Sequence, residues 1–245
     1  MNFTAVGFSP LPDIDTARRN HGLSDLSDED VGKVVFHRHK QSGNGEELGW
    51  DQLVFGTLSL LRLGEHDARI ETLSLQDVAE ADLIDSVFRA LDDAAPLVTW
   101  KPGFVHLLQF RCMKLRRSAE DYWGRVSDGN PPHLDLQAEL GIDRSGLAEP
   151  SLEDMAQRLF LPGMQGMRGG DLWDQWLEAE YQKVATFADY EAINTALLAL
   201  EIFHLKGRLT LDDILRRREF LFELITSPPL QHRFSGLATN WKPGL

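Results

Sequence analysis

Basic side chains in tight groups are the first feature of this sequence with a chemistry attached. Arg111, Lys114, Arg116 and Arg117 fall within seven residues, Arg216, Arg217 and Arg218 form a run, and His37-Arg38-His39-Lys40 is a weaker third. Clustered cations can meet phosphate oxygens, because they displace the counterions around a polyanion. The ordinary alternative, a solvated helix face, is the expectation for each. The single thiol, Cys112, is flanked by Arg111 and Lys114 but lies at helical spacing from Leu108 and Leu115, which predicts a buried small hydrophobe rather than a nucleophile. Ser118, Asp121 and the scattered histidines form no recognisable triad. Gly166, Gly169 and Gly170 have neither a preceding strand nor a Gly-Lys-Ser/Thr ending, so they make no phosphate loop. Tryptophans can stack bases, but Trp173 and Trp176 sit beside Leu172 and Leu177 at helix-like spacing and are expected in the core.

The whole chain sets bounds on these readings. Its 245 residues carry 25 Lys+Arg against 38 Asp+Glu, a net charge of −13, which argues against tight, non-specific binding to nucleic acid. One cysteine excludes an internal disulfide framework and fits a reducing compartment. No apolar run approaches the roughly 18–20 residues needed to span a bilayer, and the first residues lack the basic start of a signal peptide. A cytoplasmic protein without a membrane partner is expected, as a single domain over 1–245.

Periodicity places the elements. Residues 3–8 read as a buried strand ended by Pro10 and Pro12, and 13–50 as a short helix plus a long excursion containing Gly43-Asn44-Gly45. Strands follow at 53–63 and 69–75, joined by a turn at 64–67. A helix over roughly 77–93 has Val78, Ala81, Ile84, Val87, Phe88 and Leu91 on one face. Then come a strand at 96–100, a helix at 104–117, a loop at 124–132 and a short strand at 133–136. Helices are predicted at 151–160, 171–178, 181–206 and 210–226, with Gly207 between the last two. Strands alternating with helices, followed by a helical C-terminal half, imply an α/β architecture around a mixed sheet.

Several segments in this order carry a resemblance: LVTW at 97–100, HLDL at 133–136, the LPGM…GM…G…W segment within 151–176, and INTALLAL within 187–210. The chain resembles the predicted 3′–5′ exonucleases related to the proofreading domain of family-B DNA polymerases. The resemblance implies a ribonuclease H-like exonuclease fold, with four carboxylates from three motifs holding two divalent ions for phosphodiester hydrolysis. Hard ions need several anionic oxygens close together, so replacing most of the carboxylates should abolish the site.

Carried over residue by residue, the motifs are depleted. With Pro12-Asp13 aligned, Gly7 and Ser9 stand where the first motif has Asp and Glu. Lys101 and His106 replace the Asn and Asp that follow LVTW, and Phe187 and Glu191 replace the Tyr and Asp of the third motif. Only Glu191 keeps a carboxylate, and Phe187 lacks the hydroxyl that orients the attacking water in the family. Asp135 matches the family's His-x-Asp, where capping or bracing is its expected role, and Asp189 matches a non-catalytic acid. A rival reading takes Asp13-Ile14-Asp15-Thr16 as the first motif, but its strand would have to run through Pro10 and Pro12. His106 and Glu191 are weak metal candidates, expected to face each other across the former cleft with Lys101 and His106 supplying positive charge in place of ions. No cofactor is expected; Mg²⁺ or Mn²⁺ enters only if activity is retained. The resemblance therefore implies an exonuclease-like protein that has lost its chemistry and retains at most binding, to single-stranded nucleic acid, a nucleotide or a protein partner. A residually active enzyme with a rearranged site and a structural or regulatory subunit are the alternatives.

Overall fold

The computed structural model describes residues 1–43, 48–91, 95–100, 103–127, 132–142 and 149–243; Asn44 and Gly45 of the predicted excursion lie outside them. Among the described residues the strands β1 (Phe3–Pro12), β2 (Leu53–Leu63), β3 (Ala68–Ser74), β4 (Leu97–Thr99) and β5 (His133–Asp135) form one sheet in the order β3-β2-β1-β4-β5. β1 pairs antiparallel with β2 and parallel with β4, β2 pairs antiparallel with β3, and β4 pairs parallel with β5. The sheet is mixed and β1 sits at its centre.

Strand periodicity divides β1 between two cores. Phe3 and Ala5 join the apolar cluster around α9 (Tyr181–Leu205), while Val6 packs with α3 (Glu80–Leu91) and α4 (Gly103–Leu115) on the opposite face. α9 is apolar nearly all round, including Ala192, Ile193, Ala196, Leu197, Ala199 and Leu200, which suits a helix enclosed between the sheet and α10 (Leu211–Thr226). Cys112 is buried in the second cluster, and burial pushes its thiol up to about 11, with Asp85 adding to the effect.

Several boundaries differ from the sequence pattern, each for a physical reason. β1 runs on through Pro10 and Pro12, because a register shift between Ser9 and Pro10 absorbs the irregularity and the β1–β4 ladder involves only Thr4 and Ala5. Among the described residues the proline segment thus has a ladder neighbour on one side only, where a missing N–H is tolerated. Residues 13–50 hold two helices, α1 (Ile14–His21) and α2 (Asp28–Gln41), capped by Asp13 and Ser27. The segment read as a loop at 124–132 is helical to residue 127 in α5 (Glu120–Ser127), so Gly124 lies within a helix. After β5, α6 (Leu136–Leu140) replaces the end of the predicted strand. The predicted C-terminal helices are α7 (Leu152–Arg158), α8 (Leu172–Leu177), α9 and α10, with α11 (Ser235–Asn240) in addition.

The LPGM turn is bolted to α9. Asn194, fully buried, accepts the Gly163 amide at 2.8 Å and donates to the Gly163 carbonyl at 2.9 Å and the Tyr190 carbonyl at 2.8 Å. Gly163 has φ +67, a left-handed conformation that favours glycine. Replacing Asn194 by Ala strands a buried amide and carbonyl; Asn194→Ala should lower unfolding free energy by about 2 kcal/mol or more in urea titrations.

Candidate functional site

α9, which carries Phe187 and Glu191, lies directly on β1, which carries Gly7 and Ser9. A Cβ built on Gly7 would sit 1.9 Å from the Ala188 carbonyl oxygen and 2.5 Å from the Ala192 amide nitrogen, both backbone atoms of α9. Position 7 is therefore a point of backbone contact, and the space an aspartate side chain would need is filled by helix. Two residues on, Ser9 is fully buried and donates its hydroxyl to the Val184 carbonyl at 2.7 Å, bonding β1 to the first turns of α9.

Glu191 completes this contact. Its carboxylate accepts the Phe8 amide at 2.7 Å. The β1–β4 ladder involves only Thr4 and Ala5 among the described residues, so the Phe8 N–H needs an acceptor from elsewhere, and Glu191 supplies it. Phe187 is half-buried and packs with Leu11, Val54, Leu172 and Val184. Asp189 is enclosed: it accepts hydroxyl bonds from Ser59 and Thr72 at 2.6 Å each and pairs with Arg233, tying α9 to β2, β3 and the approach to α11. Burial pushes its carboxyl up, against the pull of Arg233, Ser59 and Thr72. An acid with these internal partners braces the fold and is not open to a ligand.

Of the two positions that the resemblance assigns to the second motif, His106 alone is described. Lys101 lies outside the described residues. His106 is exposed on α4, its ring 6.0 Å from that of Trp50, which also lies edge-on to Phe110. The environment of His106 is thus an exposed aromatic patch, and among the described residues no three His, Cys, Asp or Glu side chains are grouped so as to hold a metal ion. Asp135 caps α6 through the Gln137 and Ala138 amides at 2.8 and 3.1 Å. Behind it His133 shares a 2.7 Å hydrogen bond with Thr99, and burial pushes its imidazole down to about 4.

A buried ionic cluster stands at the end of β1. Asp13 caps α1 through the Thr16 amide and hydroxyl at 3.0 Å each, and pairs with Arg111 and Lys114. Arg111 also grips Glu80 of α3 with two nitrogens. The group lines a cleft of about 410 Å³ with Trp173 and Trp176, half-buried side chains rather than fully enclosed ones. Of the rival first motif, whose strand does run through Pro10 and Pro12, Asp13 is committed to two cations and a cap, and Asp15 is exposed. Of the basic groups expected as solvated faces, His37, Arg38, Lys40, Lys114, Arg116, Arg117 and Arg216 are exposed, whereas His39 and three arginines are buried. Arg111, Arg217 and Arg218 are 3%, 1% and 8% exposed, Arg218 pairs with Glu201, and Arg117 pairs with Asp85. Periodicity could have found Arg111, which lies on the same helical stripe as Phe104, Leu107 and Leu108, but nothing local signals which acids it meets.

A mixed sheet with β1 between an antiparallel and a parallel neighbour, crossed by a long C-terminal helix, defines an α/β domain of ribonuclease H-like exonuclease type. A family model described as predicted 3′–5′ exonuclease related to the exonuclease domain of PolB matches residues 52–236, and the chain belongs to that family. Neither a curated protein nor a solved structure matches it. The matched region includes the second- and third-motif positions, whereas Gly7 and Ser9 precede it. At the described positions that the resemblance assigns to the metal site, a divalent ion is poorly served: position 7 has no room for a ligand, Ser9 is bonded to backbone, and Glu191 accepts the Phe8 amide.

Three measurements check this geometry. Gly7→Ala should cost about 3 kcal/mol or more in urea unfolding, because the methyl meets helix backbone rather than a movable side chain. EDTA should leave the melting temperature unchanged, and Mg²⁺ should not raise it. For Asp13, burial raises the carboxyl's pKa, but Lys114, the Thr16 amide and Arg111 outweigh it and hold the group below its ordinary value of 3.8. Its stabilisation is therefore full above that value and lost as pH falls through the lowered one. The stability difference between native protein and Asp13→Asn should be constant at higher pH and shrink as acid is added below about pH 4.

Proposed function

We propose that this chain is a non-cutting member of its exonuclease family, acting by binding rather than by phosphodiester hydrolysis. The observation that carries the reading is the contact at Gly7, where α9 backbone fills the place of the first metal-holding carboxylate. Ser9 and Glu191 support it: the hydroxyl and the carboxylate at two further motif positions hold β1 and α9 together. Phe187 supports it as well, since the third motif's water-orienting hydroxyl is missing there. These residues tie strand to helix, and among the described residues no anionic oxygens cluster so as to bind hard cations. The ligand classes that suit the frame are a single-stranded nucleic-acid end, a nucleotide or a protein partner.

The test is degradation of a 5′-labelled single-stranded DNA oligonucleotide with Mg²⁺ and, separately, Mn²⁺. No shortening is expected in either. Installing Gly7→Asp, Ser9→Glu, His106→Asp and Glu191→Asp together should not create activity, because the aspartate at position 7 has no cavity to enter and the fold should be lost first. Metal-dependent shortening from the 3′ end by the native protein, abolished by Glu191→Gln, would overturn the reading.

A further inference from the structure

α2 seats on α8 through a glycine. A Cβ built on Gly32 would lie 2.5 Å from the Trp173 Nε1 atom, so the indole rests against α2 backbone. Beside this contact lies an open groove of about 680 Å³. Residues three and four apart share a helix face. Glu29, Lys33 and Phe36 of α2 therefore form one wall, and the pairs Trp173–Leu177 and Asp174–Glu178 form the other. Phe36 is 37% exposed and Trp173 and Leu177 are half-buried, so aromatic and apolar surface is open to solvent along the groove.

Its charged rim is acidic. Three carboxylates, Glu29, Asp174 and Glu178, stand against one cation, Lys33. Lys33 is already engaged: its ammonium meets Glu29 at 2.5 Å and Asp30 at 4.0 Å. Asp174 lies in the field of Lys33 without pairing with it. Among the described residues no hydrogen bond or ion pair engages the carboxylate of Asp174 or of Glu178. Like charges at i and i+4 on a helix repel. Glu178 also stands at the C-terminal end of α8, where the helix carbonyls oppose negative charge. No paired cation among the described residues offsets either cost.

We propose that this groove docks a basic polypeptide segment of a protein partner, its lysine or arginine heads meeting Asp174 and Glu178 and its stems lying on Phe36, Trp173 and Leu177. Long cationic side chains carry an apolar stem and a charged head, and cations are attracted to aromatic faces. One such side chain therefore matches both the rings and the rim. The same acids repel a polyanion, and a small hydrated cation would leave the aromatic surface uncovered. None of the motif positions lines the groove, so the proposal does not depend on whether cutting is lost.

The test is fluorescence anisotropy of a labelled six-arginine peptide titrated with the native protein at low ionic strength, beside two double variants of equal charge. Native protein should bind, and added salt should weaken it. Asp174→Asn with Glu178→Gln should bind about tenfold more weakly. Asp212→Asn with Glu219→Gln, which removes the same charge from exposed positions of α10, should bind like the native protein. Phe36→Ala, with every charge kept, should weaken binding about threefold. Since neither Asp174 nor Glu178 has an ion pair among the described residues to lose, the first double variant should melt no lower than the native protein. No binding by the native protein, equal weakening by both double variants, or displacement of the peptide by spermidine at matched charge would overturn the proposal.

Discussion

The close approach of α9 to β1 at Gly7 is the contact on which the rest of this structure depends. A helix can lie this near a strand only where the strand has no side chain, and a Cβ at that point would overlap the Ala188 carbonyl. From there the elements are fixed in turn. Ser9 bonds to Val184, Glu191 accepts the Phe8 amide, and Asp189 reaches Ser59, Thr72 and Arg233. Together these contacts join α9 to the strands it crosses and to the C-terminal segment. Interiors pack too densely for one such contact to loosen without its neighbours.

The same contact links architecture to chemistry. Metal-dependent phosphodiester cleavage needs several carboxylate oxygens turned toward one point, at a desolvation cost that the bound ions offset. Here the Ser9 hydroxyl and the Glu191 carboxylate satisfy backbone groups between strand and helix, and Gly7 lets the two backbones meet. Such an interface gains stability from direct packing and hydrogen bonds and needs no ion. Charge is handled at a distance from it, in the Asp13–Arg111–Glu80–Lys114 cluster, where acids from the end of β1 and from α3 meet cations of α4. A buried cluster with both signs present is tolerable because each charge has hydrogen-bonded partners.

Surface and interior basic residues also divide by partner. Arg111 and Arg218 lie inward beside carboxylates, while Arg69 meets Asp67 in solvent. Runs in the sequence proved a poor guide to which arginines meet solvent, since helix periodicity turns successive members of a run to different sides. The Arg216–Arg218 run illustrates this: Arg217 and Arg218 are buried, whereas Arg216 pairs with Asp213 in solvent.

What the sequence determined by itself is the element types and the motif content. The strand-like runs 53–63 and 69–75 and the helical stretch 181–206 are local patterns, and all three elements are present as β2, β3 and α9. The departures that the resemblance implies, Gly7, Ser9 and His106 at carboxylate positions and Phe187 at a tyrosine position, are likewise readable residue by residue. Tertiary structure alone decided what those replacements do. That β1 continues through Pro10 and Pro12 depends on a bulge and on where the ladder to β4 ends, and no strand carries that information about its neighbours. That Arg111 finds Asp13, 98 residues away, follows from how α4 lies against the end of β1. That Thr4, Arg62 and Arg69 share one row follows from strand register, which pairing sets and composition does not.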